Sequence, residues 1–426
     1  MYGKKENNLP YTSTTVKYNE IQSIRNGAAS TVALSLTNNF FTVFAILVLG
    51  ATDYQISLIS SLPSIIGMCA MLPAAIYINR LERKKEFTVY TLFLTRIFLL
   101  FMVFIPFIKP SLSSWIFVAL IGLMNLPGTF LNLGWQALIG DLIPDNRRNT
   151  FFGKRNKYLT FIGMVVTLLV GFCMRGVNSK SAFPYQALFF IAFLFSLVEL
   201  YYLKLHKEKP VKTEKSNYQS PFSKRIFKNK PYAAFLICGL FFNFGWQMAW
   251  SLFSIYQIRY AHATAFWISL FTVSNQISQI VSYPWWAKMA DKWSNRTLLV
   301  WISIGMALAP VLNILSINYG YLLFINFFSG FFVSGTVLIL FNSLLEVSEE
   351  EHRTSYIANY NFLLSIVAFI APQVGVYLLE TFSMNTSMVL STICRGLSAL
   401  FFIWMGWYLK TSKEQMKEYN QQINNM

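Results

Sequence analysis

Asp141–Asn156 reads Asp-Leu-Ile-Pro-Asp-Asn-Arg-Arg-Asn-Thr-Phe-Phe-Gly-Lys-Arg-Asn, a short polar connection between two long apolar runs. A fainter copy lies 205 residues downstream, where Glu346–Asn361 reads Glu-Val-Ser-Glu-Glu-Glu-His-Arg-Thr-Ser-Tyr-Ile-Ala-Asn-Tyr-Asn. The shift sets Asp141 on Glu346, Arg148 on Arg353, Thr150 on Ser355, Phe151 on Tyr356 and Asn156 on Asn361. Two further places agree. Asn79-Arg80 matches Asp291-Lys292 at an offset of 212, and Asn39 falls near Asn243 at an offset of 204. A nearly constant offset at three separate places indicates one structural unit used twice.

The chain is 426 residues long, 55% hydrophobic, 17% aromatic and only 12% charged. A soluble domain carries about twice that charged fraction. Apolar runs long enough to cross the ~30 Å hydrocarbon layer as helices recur throughout. Twelve spans are expected, near 26–49, 55–78, 87–108, 114–139, 157–176, 184–203, 232–256, 265–287, 298–317, 320–345, 358–379 and 386–408. The polar start and the length of the first run do not suit a cleavable leader, so the first helix is expected to be retained. The fold class is therefore an all-α polytopic membrane protein. Its expected organisation is a six-helix half over 1–203, a basic linker over 204–230, a second half over 231–410 and a tail over 411–426.

The net charge of +17 reflects topology rather than nucleic-acid binding. With twelve spans, 29 of the 35 lysines and arginines fall on the side of the termini and linker, and 4 on the other. Arg96 and Arg395 lie within spans. Basic loops stay in the cytoplasm, which puts both termini and the linker there in a multi-pass cytoplasmic membrane protein. The excess charge also suits contact with anionic lipid headgroups. The four cysteines lie in or beside apolar runs without a CxxC pair, so neither disulfides nor a zinc site is expected.

At this point the chain resembles the major facilitator superfamily of secondary transporters. The signature of that family after spans 2 and 8 is Gly-x-Leu-Ala-Asp-Arg-x-Gly-Arg-Arg. Met289-Ala290-Asp291-Lys292 and Arg296 carry it in the second half, with Ala287 and Ser294 in place of glycines. Arg80, Arg83 and Lys84 carry its basic part in the first half, where Asn79 replaces the aspartate and Ala75 the leading glycine. Trp135–Pro144, followed by Arg147, Arg148, Phe152, Gly153 and Arg155-Asn156, is similar to a bacterial subgroup of that superfamily. The resemblance implies two pseudo-symmetric six-helix bundles and alternating access by rocking of the halves.

It also implies a cytoplasmic gate. Asp291 would face the start of span 5, Arg83 or Lys84 would reach Asp141, and Lys292 or Arg296 would reach Glu346. Arg148 and Arg353 complete the candidate gate set with Asn79 and Arg80. Partly wet ion pairs contribute about a kcal/mol or less, enough to hold and weak enough to release. The first copy of the hinge is basic and the second acidic, so the two are expected to attract.

Polar side chains within spans usually face the bundle interior. Candidate cavity residues are Asn38 and Asn39 in span 1 and Asn125, Asn132 and Gln136 in span 4. Span 7 adds Asn243, Trp246 and Gln247, and span 8 adds Asn275, Gln276 and Gln279. The competing reading is helix–helix hydrogen bonding. Arg96 and Arg395 lie in spans 3 and 12, which are peripheral in this family's fold, and are expected to pair structurally or snorkel rather than bind solute. If either reached the cavity, an anionic or lipid-like cargo would gain support. A proton is the coupling ion considered, with Asp53 at the outer start of span 2 as the least unsuitable carrier.

The chain has no P-loop, GxSxG elbow or HExxH, and its histidines, His206, His262 and His352, lie in loops without metal spacing. The expectation is a non-enzymatic, cofactor-free monomer that moves a small organic solute, driven by a gradient, with export favoured. Other readings are a lipid or glycolipid flippase of the same fold, or a non-transporting sensor or immunity protein.

Overall fold

The computed structural model describes residues 12–78, 80–178, 180–209, 224–349 and 352–424, and holds no strand among them. Twelve long helices follow in order. They are α1 (Ser13–Leu47), α2 (Asp53–Ile78), α3 (Lys85–Val103), α4 (Pro110–Leu142), α5 (Asp145–Cys173) and α6 (Phe183–Lys204), then α7 (Lys230–Tyr260), α8 (Ala265–Lys292), α9 (Asn295–Ile314), α10 (Tyr319–Val347), α11 (Arg353–Thr381) and α12 (Met384–Asn424).

Eleven are long and apolar enough to cross a membrane by composition. The other is α8, which has 28 residues. Its polar side chains, including Asn275, Gln276, Ser278, Gln279 and Ser282, lower its hydropathy without shortening it. Several helices also outrun their apolar stretches. α1 begins at Ser13 rather than near 26, α5 at Asp145 rather than near 157, and α12 runs to Asn424. Backbone hydrogen bonding continues past the hydrocarbon boundary where side chains turn polar, so the apolar run marks only the membrane portion of each helix.

The chain divides into two compact units, one of residues 1–51 and 65–216 and the other of residues 52–64 and 217–426. The first stretch of α2 thus packs with the second unit. Within the first unit α1 packs on α5 and α6, and α3 on α4 and α6. Within the second, α7 packs on α11 and α12, and α9 on α10 and α12. Each of these four pairings recurs six helices later, which is the internal repeat expressed as packing; the close packing of α8 on α10 is a feature of the second unit.

Each unit has its own core. In the first, Phe44 stands edge-on to Phe117 at 5.1 Å and to Phe189 at 5.2 Å between ring centroids. In the second, Trp286 of α8 is 2% exposed and donates its indole N–H to Phe331 O at 2.7 Å. A side chain at Gly335 would meet that indole at 2.6 Å, so glycine is what lets α10 lie against it. Large apolar side chains such as Phe161, Leu169, Val281, Leu308 and Trp407 are exposed, as suits helices that cross hydrocarbon.

A buried ion pair ties the first unit together. Arg96 of α3 holds both oxygens of Glu199 of α6, at 3.0 and 3.2 Å, and donates to Ser30 Oγ of α1 at 3.0 Å. Removing one partner leaves the other charge buried, at about 3–5 kcal/mol, whereas replacing both with apolar groups of similar volume can be neutral. Glu199→Ala is therefore expected to lower the melting temperature in detergent sharply. The double variant Arg96→Met/Glu199→Met should recover most of the loss; a double variant no better than the single would contradict a two-member pair.

Candidate functional site

At the linker end of the first unit, helix termini leave carbonyls and amides unpaired, and charged side chains satisfy them. Lys84 Nζ lies 2.5 Å from Asp141 Oδ2, joining the start of α3 to the end of α4. Arg148 donates to Gly140 O at 2.5 Å and to Ile143 O at 3.1 Å, so it caps the carbonyl end of α4, where a cation is favoured by the helix dipole. Glu208 accepts from the Lys84 and Lys85 amides at 2.6 and 3.1 Å, an acid at a helix N-terminus. Arg80 and Arg83 are exposed, and Asn79 lies outside the described residues.

The second unit repeats the theme with different partners. Arg296 Nη2 lies 3.3 Å from Glu346 Oε1, and Asn295 Nδ2 donates to Glu346 Oε2 at 3.1 Å. Asp291 and Lys292 are exposed at the end of α8, and Arg353 is half-buried at the start of α11. Far from this end, Asp53 Oδ1 lies 2.8 Å from Arg259 Nη1, and Gln373 of α11 donates to Ser61 Oγ at 2.7 Å. Those contacts bind the beginning of α2 into the second unit.

The second unit also contains a cavity of about 320 Å³. Trp246, Trp250, Phe253, Ser254 and Gln257 of α7 form one wall, and Asn275 and Gln279 of α8 another. Asn313 of α9 and Ile325, Asn326, Ser329 and Val333 of α10 close it. The two indoles sit one helical turn apart with ring centroids 6.1 Å apart. Asn275 Nδ2 donates to Asn326 O at 3.0 Å, and Gln279 Nε2 to Asn275 Oδ1 at 2.7 Å, which fixes the amides in a chain. No lining side chain carries a charge. Such a wall can stack a flat or ring-shaped face on indole and hydrogen-bond its polar edge.

Of the expected cavity residues, Trp246, Asn275 and Gln279 line this space. The rest lie elsewhere. Asn243 Nδ2 reaches Tyr360 Oη at 3.1 Å, joining α7 to α11, and Asn39 Nδ2 reaches Thr167 Oγ1 at 3.1 Å, joining α1 to α5. Asn125 Nδ2 returns to Ile121 O of its own helix at 2.7 Å, and Gln136 bonds Asn132 at 3.0 Å on an exposed face. Asn38 is exposed, while Gln247 and Gln276 are partly buried and do not line the cavity. Gln257, Asn313 and Asn326 escaped the sequence reading. Each is a lone amide among apolar neighbours with no stripe to announce it; the break in α7 that carries Gln257 inward gives no pattern either.

These elements define a helical membrane protein built as a six-helix repeat with a polar, uncharged pocket inside it, the architecture of secondary transporters. The family model of the Major Facilitator Superfamily matches residues 27–274 and 235–422, and the chain belongs to that superfamily. Solved structures agree on the fold. The nucleoside transporter NupG superposes with a TM-score of 0.70 at 13% identity, covering 91% of this chain and 98% of that one. A D-xylose-proton symporter gives 0.66 at 13% identity, over 90% and 96%. A POT family transporter solved with a thioalcohol-conjugated peptide gives 0.67 at 13%, over 92% and 95%. No curated protein sequence matches.

His206, just past α6, offers a pH test of the linker end. Its carbonyl accepts from Lys85 Nζ at 3.1 Å and its ring nitrogen Nδ1 lies 3.0 Å from Leu203 O. Burial, helped by the charges of Lys85 and Arg155, pushes the imidazole from 6.5 down to about 4. The unfolded chain therefore binds this proton near the ordinary value, and the folded chain only near the lower one. Its contribution is full above the ordinary value and is lost as pH falls through that window. The melting temperature should drop over that interval, and His206→Gln should flatten the drop; an equal drop in the variant would contradict the assignment.

Proposed function

We propose that this chain is a gradient-driven carrier of a small organic solute, working by alternating access in a cytoplasmic membrane with its termini and linker inside. The observation that carries the reading is the cavity of paired indoles and chained amides that lies within one six-helix unit. Asn275, Gln279, Trp246 and Trp250 are its contact residues. The ion pairs Lys84–Asp141 and Arg296–Glu346, with Arg148, serve the linker-side gate, and Asp291, Lys292, Arg80, Arg83, Asn79 and Arg353 are its further members. The nucleoside transporter and the xylose–proton symporter among the structural neighbours support a polar solute of modest size, and the symporter supports a proton as coupling ion. Export is the direction to test first.

Flux into and out of proteoliposomes, screened over neutral and anionic organic solutes, tests this. For a solute that is carried, Trp250→Ala and Asn275→Ala should each cut flux by about tenfold, the worth of one lost stacking or hydrogen-bonding contact. Saturable binding with no flux of any solute in either direction would replace the carrier reading with that of a receptor.

A further inference from the structure

The second unit buries a cation at the level of its cavity and, among the described residues, gives it no carboxylate. Arg395 of α12 is 1% exposed. Its guanidinium donates to three carbonyls: Nε to Gly245 O at 3.1 Å, Nη2 to Trp246 O at 2.9 Å, and Nη1 to Met306 O at 2.8 Å. These dipoles solvate the group but carry no net charge. The described acids of this unit lie elsewhere, at helix ends or connections (Asp53, Asp291, Glu346, Glu349, Glu380) or in the polar extension of α12. The first unit offers the contrast, because there Arg96 has Glu199.

Two groups that touch Arg395 also line the cavity. One is Trp246, whose carbonyl it holds; the other is Phe253, whose ring centroid is 5.8 Å from the guanidinium carbon. The charge thus stands one layer behind the wall, in surroundings of low dielectric and beyond the reach of salt screening. A second observation points the same way. Asn313 lines the cavity, is 1% exposed, and its Nδ2 has no acceptor. A buried N–H without an acceptor is costly, and an electron-rich atom on a solute would satisfy it.

We propose that Arg395 sets the charge selectivity of this cavity, which admits solutes bearing oxygen acceptors, neutral or anionic, and turns away organic cations. The proposal deepens the carrier reading and rests on the cavity being the solute site, yet the potential there can be measured with no solute present. The probes are iodide, caesium and acrylamide, used as quenchers of tryptophan fluorescence on the full-length protein at constant ionic strength. Subtracting the Trp246→Phe/Trp250→Phe variant isolates the two cavity indoles.

Relative to a free tryptophan amide, the iodide-to-caesium quenching ratio of this component should be raised about threefold or more, the effect expected of one nearby buried charge. Arg395→Lys, which keeps the charge, should retain the elevation, and Arg395→Met should abolish it. A wild-type ratio equal to that of the free amide would overturn the proposal even if the Met variant failed to fold. So would an unchanged ratio in a folded Met variant, or cavity indoles that acrylamide cannot reach. A raised ratio in a protein that moves no solute would refute the carrier reading and leave the charge assignment standing.

Discussion

Hydrocarbon offers a backbone N–H or C=O no water, so every turn of a spanning helix must satisfy itself or find a partner in its neighbours. That constraint explains why the cavity sits where it does. α7 runs regularly from Lys230 to Met248, breaks at Ala249, resumes over Trp250–Ile255 and finishes as a wide π-turn over Tyr256–Tyr260. At the break the Ala249 amide turns to Gln247 O, and the carbonyl of Gly245 is taken instead by Ser391 Oγ at 2.9 Å and by Arg395. Two glycines make the approach possible. A side chain at Gly375 would collide with the Met248 carbonyl, and one at Gly245 would meet Cys394 at 3.1 Å. A polar pocket, a broken helix and a buried guanidinium are therefore one arrangement.

The same constraint separates the two units despite their shared packing plan. Where α3 and α6 meet, a carboxylate answers the arginine, and the result is a neutral tie between helices. Where α12 meets α7, broken backbone answers the arginine, and the charge persists beside open space. Pseudo-symmetry in helix packing thus coexists with asymmetry in electrostatics, and the polar, uncharged cavity lies in the half whose helix is broken.

Much of the architecture was legible because hydrophobic run length and basic-loop bias are coarse signals that survive sequence drift. The repeat was visible because Asp141–Asn156 and Glu346–Asn361 keep a few polar positions in register. Helix ends were less legible: hydropathy changes at the membrane surface, whereas the helices starting at Ser13 and Asp145 run on well outside it. Site residues were legible only where they formed a stripe. Asn275 and Gln279 stood out beside Gln276; Asn313 and Asn326 stood alone among Leu, Ile and Phe. Glu208, which caps α3 from a connection more than a hundred residues away, could not be found by spacing at all. A stripe alone does not separate a cavity wall from hydrogen bonding within the bundle. Asn125, Asn132 and Gln136 share a helical face, yet they bond within their own helix, since an amide in a span can satisfy itself on the preceding turn.

The central claim is that the space between α7, α8 and α10 communicates with water on both membrane faces in turn. A single cysteine at Ser254 or Ser329, in a chain whose four native cysteines are replaced, can be probed with a membrane-impermeant maleimide in right-side-out and inverted vesicles. The account predicts labelling from both faces, with labelling from one face protecting against the other. Labelling from one face alone, under every solute and pH condition tried, would contradict it.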